Sequence, residues 1–174
     1  MSANIQNIWG NAVRLAGEDA LALELASLGY PGLSHLRPAR ERKNPAEVLL
    51  SALSARDLDS RLVEALPWVL LNYPDLDWQW LMNAAKAHDL QNRLGFVTSV
   101  ARRLAEMRGE PDKAALLGRR EAELEQSRLE REDTLCHDSL TESEKRWLRE
   151  RRSEEAKRWG LLADLSPEHL SYAA

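Results

Sequence analysis

Apolar residues recur three and four positions apart along most of this chain, the spacing that gathers them on one face of an α-helix. Over roughly residues 3–28, Ile5, Ile8, Val13 and Leu15 and then Leu21, Leu25 and Leu28 keep this spacing, and Gly29 supplies a stop signal. Asn44-Pro45-Ala46-Glu47 reads as a helix start, with an N-cap side chain, a proline at the first helical position and an acid in the first turn. That helix runs to about Ala55. Leu58 to about Tyr73 forms a second apolar run, in which Pro67 either kinks the helix or marks its first turn. Asp75 or Asp77 caps a third helix reaching about Ala87, and a fourth covers about Leu90 to Met107. Pro74 and the pair Gly109 and Pro111 punctuate the series. The stretch from Tyr30 to Lys43, with two prolines and a local excess of Arg and Lys, reads as a loop or a short turn of helix.

An internal echo organises these helices. Ala55-Arg56-Asp57-Leu58-Asp59-Ser60-Arg61-Leu62 recurs 32 residues later as Ala87-His88-Asp89-Leu90-Gln91-Asn92-Arg93-Leu94, and Leu49 and Ala52 match Leu81 and Ala84 at the same offset. Each unit reads as a helix pair whose second helix begins at the Asp-Leu corner, with Asp57 and Asp89 as caps that complement its dipole. Two stacked hairpins bury a shared face, so the expectation is a compact helical-repeat core within residues 1–110, its echoed pairs near 45–73 and 77–107.

Past Pro111 the pattern changes. From Gly118 to Arg158, 23 of 41 residues are charged, against 14 of 63 between Pro45 and Met107. Thr141-Glu142-Ser143-Glu144 is a capping-box pattern that opens a helix to about Arg158, and Ser166-Pro167-Glu168 starts a last short one. Residues 111–174 therefore read as a charged helical arm or hairpin hinged near Leu135–Leu140, with an apolar stripe too narrow for a core of its own. Trp147, Leu148 and Trp159 do not fit a merely solvated face. At helical pitch they fall near one side and stand among Arg151, Arg152 and Arg158, and Trp and Arg are enriched at interface hot spots. Two readings of the arm stand side by side: a partner-binding element, or a segment packed back onto the core.

Composition narrows the class. The 174 residues include 24 Lys and Arg and 28 Asp and Glu, a net charge of −4, which lacks the basic excess of a free-standing nucleic-acid binder. Cys136 is the single cysteine, so no intramolecular disulfide forms. The N-terminal stretch has no leader pattern, and no run approaches the ~18 apolar residues a membrane helix needs. A cytoplasmic protein without membrane association is expected.

Candidate chemistry is sparse. Asp75, Asp77, Trp78 and Trp80 cluster, but capping explains such acids and burial such tryptophans. Cys136-His137-Asp138 sets a nucleophile beside a base, yet adjacent side chains rarely point together, and no oxyanion-stabilising motif accompanies them. His35, His88, His137 and His169 show no ligand spacing, and no glycine-rich phosphate loop or metalloprotease motif occurs. The expectation is no catalytic residue, no metal and no cofactor. Leu81 to Arg103 reads as helix, tight turn, helix, with Gln91, Asn92 and Arg93 at the start of the second helix, where recognition helices place the side chains that read base edges. Against that reading, Arg93 echoes Arg61, and the surroundings lack basic residues.

The segment Glu64 to Glu106, through its Leu66-Pro67-Trp68 and Asp75-Leu76-Asp77-Trp78 runs and His88-Asp89-Leu90-Gln91-Asn92-Arg93-Leu94, resembles small helical bacterial antitoxins paired with abortive-infection-type nucleotidyltransferase toxins. The resemblance covers about a quarter of the chain and carries no functional residue across. It implies a non-enzymatic regulatory protein with a protein partner or self-association. The alternative is a helix-turn-helix transcriptional regulator.

Overall fold

The computed structural model describes residues 17–37 and 41–173. Ile5, Ile8, Val13 and Leu15 lie outside these residues. Eight helices carry the described part of the chain: α1 (17–27), α2 (Pro45–Ser54), α3 (Ser60–Asn72), α4 (Trp78–Ala87), α5 (Gln91–Met107), α6 (Pro111–Glu125), α7 (Glu142–Arg151) and α8 (Glu154–Arg158). Two short strands, β1 (Asp133–Thr134) and β2 (Leu161–Leu162), pair in parallel, with Asp133 opposite Leu161. The all-α reading of the sequence holds.

Local signals place most boundaries. Gly29 at φ +93° stops α1, in a left-handed conformation that costs glycine little. The Asn44 side chain accepts the Ala46 N–H at 3.0 Å and Pro45 opens α2. Asp77, not Asp75, caps α4 by accepting the Trp80 N–H at 3.0 Å. Pro67 sits inside α3. Thr141 and Glu144 close the capping box that starts α7. The corner aspartates depart from expectation. Asp59 rather than Asp57 caps α3, through the Arg61 N–H. Asp89 takes a left-handed conformation (φ +57°) ahead of an α5 whose N-cap, Leu90, makes no side-chain cap bond.

The echoed pairs stack as hairpins. α2 packs on α3 and α4 on α5, while α2 meets α4 and α3 meets α5 across the stack. Leu49 and Leu81 are buried at matching places, as are Leu62 and Leu94. The matching arginines part company, since Arg61 is exposed and Arg93 buried. α5 becomes the central helix, with 13 of its 17 residues buried.

Residues 111–174 pack back onto this core. α6 lies along α5, and α8, β2 and the turn Pro167–His169 close on α5 from another side. The single helix expected over 141–158 breaks at Arg152, which is extended, and the Ser153 side chain caps α8 instead by accepting the Ala156 N–H at 3.1 Å. Trp147 and Trp159 consequently stand on different elements. Trp159 is fully buried, its ring seated on Gly95 of α5.

Candidate interaction groove

The first turn of α5 holds the three side chains set out above as base readers, and each is turned inward. Gln91 donates to the Ser127 carbonyl at 3.1 Å. Asn92 donates to the Leu129 carbonyl at 2.8 Å and accepts the Leu129 N–H at 2.9 Å. Arg93 grips both carboxylate oxygens of Asp133, at 2.9 and 3.0 Å, and spends a third nitrogen on the Leu53 and Ala55 carbonyls. All three residues are buried. Side chains committed in this way are not presented to a base edge. The polar start of α5 is a staple that holds the 126–134 segment across the end of the hairpin stack.

The staple continues through residues 133–138, which run between the first repeat corner and β2. The Asp133 N–H donates to the Gly160 carbonyl at 2.9 Å, Leu58 N–H to Cys136 at 2.9 Å, and Asp138 N–H to Arg56 at 2.8 Å. Burial pushes the Asp133 carboxyl up, but the hydrogen bonds and charge of Arg93 and the Thr134 N–H outweigh it, so the group titrates below its ordinary value. The Cys136-His137-Asp138 triplet points three ways. Cys136 is wholly buried, its thiol 3.2 Å from the Ala52 carbonyl, and burial pushes it up to about 12, which removes any thiolate near neutrality. Asp138 pairs with Arg56 and Arg93. His137 is exposed and lines an open groove.

That groove joins two cavities of about 330 and 490 Å³ that share Ser60, His137, Leu148 and Asp164. The start of α3, the 135–140 loop, α7 and the 162–170 tail form its walls. Leu58, Val63, Leu135, Leu148, Leu162 and Leu170 give it an apolar lining, and Glu64, His137, Asp164 and His169 bring polar groups to it. The second cavity extends along α7 past Leu140, Ser143 and Glu144 to Trp147. Trp147 is 48% exposed, with the Arg151 guanidinium 5.2 Å from its ring centre.

The six residues expected to bind a partner therefore divide. Trp147 and Arg151 stand at the groove's open end and Leu148 forms part of its lining. Arg152 instead donates to the Leu161 carbonyl at 3.2 Å. Arg158 pairs with Glu121 at 3.0 Å and also with Glu125. Trp159 is a core residue, and its burial removes it from any interface. Sequence reasoning missed Ser60, Glu64, Asp164 and His169, which the chain separates by up to about a hundred positions and only the fold unites.

The Trp78 cluster is also structural in part. Trp78 donates to Glu123 at 2.9 Å beneath the Arg120 guanidinium, and Trp80 is 40% exposed beside it. Among the described residues, no group of three or more His, Cys, Asp or Glu is placed to hold a metal ion, and no helix is long and apolar enough to cross a membrane. No known protein family, curated protein or solved structure matches this chain.

Proposed function

We propose that this chain is a non-enzymatic interaction protein whose partner docks in the groove that ends at Trp147. The supporting observation is the exposure of Trp147, a large aromatic held under a guanidinium beside Leu140 and Leu148. Water contact with so large an apolar side chain is unfavourable by about 25 cal/mol per Å², and a partner that covers it recovers that energy. Trp and Arg together at the mouth of an apolar depression are the residues that most often dominate binding energy.

The finer reading is a regulatory or antitoxin-like member of a bacterial two-protein system, and it rests on the resemblance of Glu64 to Glu106 alone. Those residues are mostly scaffold here: Leu66, Trp68, Leu81, Leu94 and Phe96 are buried and Asp77 is a helix cap. The resemblance therefore supports a shared hairpin core, and the groove carries the binding role.

Capture from a lysate of the source organism, with wild-type protein and Trp147→Ala side by side, tests the reading. A protein retained by the first and lost from the second is expected. Equal retention by both, or retention of nothing by either, removes the groove as the docking surface.

A further inference from the structure

The polar depression beside the groove is an ion-pair network, whereas the groove's own carboxylates form no ion pair among the described residues. In the polar depression next door, Glu132 pairs with Arg149 at 2.7 Å, Asp133 with Arg93 at 2.9 Å and Asp138 with Arg56 at 3.3 Å. Glu121 is held between Arg102 and Arg158, and Arg103 joins Glu155 and Glu168. The groove carries three carboxylates, Glu64, Asp164 and Glu144, and no Lys or Arg lines either cavity. None of the three forms an ion pair among the described residues. Glu144 accepts the N–H and hydroxyl of Thr141 in its own capping box, both neutral donors. Even with the Arg151 guanidinium over Trp147 at the open end, three carboxylates without an ion-pair partner around an apolar lining repel anionic segments and favour a ligand that brings its own cations.

Building on the groove as a docking site, we infer that its occupant is a cationic segment of a partner protein, with two apolar anchor side chains and Lys or Arg beside them. Two adjoining cavities match two anchors, each cavity within the range of roughly 300–1,000 Å³ typical of ligand sites. Leu148, shared by both, separates the anchors, and Trp147 closes over the second. Asp164, also shared by both cavities, is placed between the anchors, with Glu64 and Glu144 at opposite ends. Lys or Arg flanking the apolar residues meets these carboxylates through charge-assisted hydrogen bonds, which outweigh neutral ones. His137 and His169 add polar contacts to the lining.

A random-peptide display library panned on the full chain tests this. The selected peptides are then synthesised and titrated against wild type, Trp147→Ala, Asp164→Asn, Glu64→Gln and Glu144→Gln. The last variant retains the capping-box geometry, because glutamine serves at that position as well as glutamate. The expected selection is enriched in Lys or Arg next to large apolar residues. Binding is expected to disappear with Trp147→Ala and to weaken about tenfold with each carboxylate replacement, in line with a hydrogen bond to a charged group. Rising salt should weaken it further. Acidic or uncharged peptides that still require Trp147 would overturn the inference and leave the groove as a docking site. A selection with no dependence on Trp147 would overturn both. Failure of any peptide to bind, together with self-association abolished by Trp147→Ala, would assign the groove to a second copy of this chain and reject the cationic segment.

Discussion

A Cβ placed on Gly95 would stand 2.4 to 2.6 Å from three atoms of the Trp159 ring. Glycine inside a helix ordinarily costs about 0.5–1 kcal/mol relative to alanine, so Gly→Ala at such a place usually stabilises. Here the sign reverses. Gly95→Ala is expected to destabilise the chain by about 1–3 kcal/mol through overpacking, read as a lower midpoint in urea unfolding. Trp159→Ala should cost about 3–5 kcal/mol, and the double variant less than the two single effects added, since both act on one contact. Gly160, immediately before β2 and at φ +66°, faces a similar limit, because its Cβ would lie 2.5 Å from the Arg131 carbonyl oxygen. Cys136 offers a separate residue-scale check. With its thiol buried and pushed up to about 12, a maleimide reagent should leave the native protein unlabelled and label it fully in denaturant. Labelling of the native form at the rate of a free thiol would contradict the placement of this side chain.

Among the elements, the most buried ion pair of the 126–138 segment is Asp133 with Arg93. Asp133 titrates below its ordinary value because Arg93 holds its charged form, so the pair's contribution is complete above the unfolded carboxylate value of about 3.9. It fades as pH falls through the lower folded value. Unfolding midpoints measured along a descending pH series should drop below about pH 4, and Asp133→Asn should flatten that acid limb. At neutral pH the same variant should cost about 3 kcal/mol, because it leaves the buried guanidinium only the longer 3.5 Å pairing with Asp138. How legible these elements were follows from how local their causes are. Asn44-Pro45, Asp77-Trp78, Thr141-Glu144 and the glycines act within a turn, and the sequence displays them. The break at Arg152 was invisible, because it depends on Ser153 capping a new helix and on Arg152 reaching the distant Leu161 carbonyl. The corner Gln91-Asn92-Arg93 misled for a related reason. Polar side chains at a helix start serve a nucleic acid or a crossing loop equally well, and only the partner in space tells which.

For the whole molecule, the charged third of the chain was the hardest part to place. Runs of Glu and Arg read as solvated faces, yet Arg93, Arg102, Arg103 and Arg158 each find a carboxylate on a remote element. No periodicity encodes pairs so far apart, and the groove suffers the same blindness, since Glu64, His137 and Asp164 meet only after folding. Removing residues 111–174 therefore should not leave an intact core. A chain ending at Glu110 loses α6 and Trp159 from the surface of α5, and is expected to lose its cooperative thermal transition and to aggregate, where the full chain shows one sharp transition. A truncated chain that melted cooperatively as a monomer would contradict the packing of the C-terminal third. The centrality of α5 also bears on how the protein comes into being. Sixty-five positions separate Met107 from Tyr172, whose hydroxyl donates to the Glu64 carbonyl of α3. At an elongation rate of about 5–20 residues per second, a ribosome needs roughly 3 to 13 s to deliver that stretch. Throughout that interval the nascent helices α3 and α5 present bare leucines to solvent, which makes this chain a natural client for chaperones that shield newborn polypeptides.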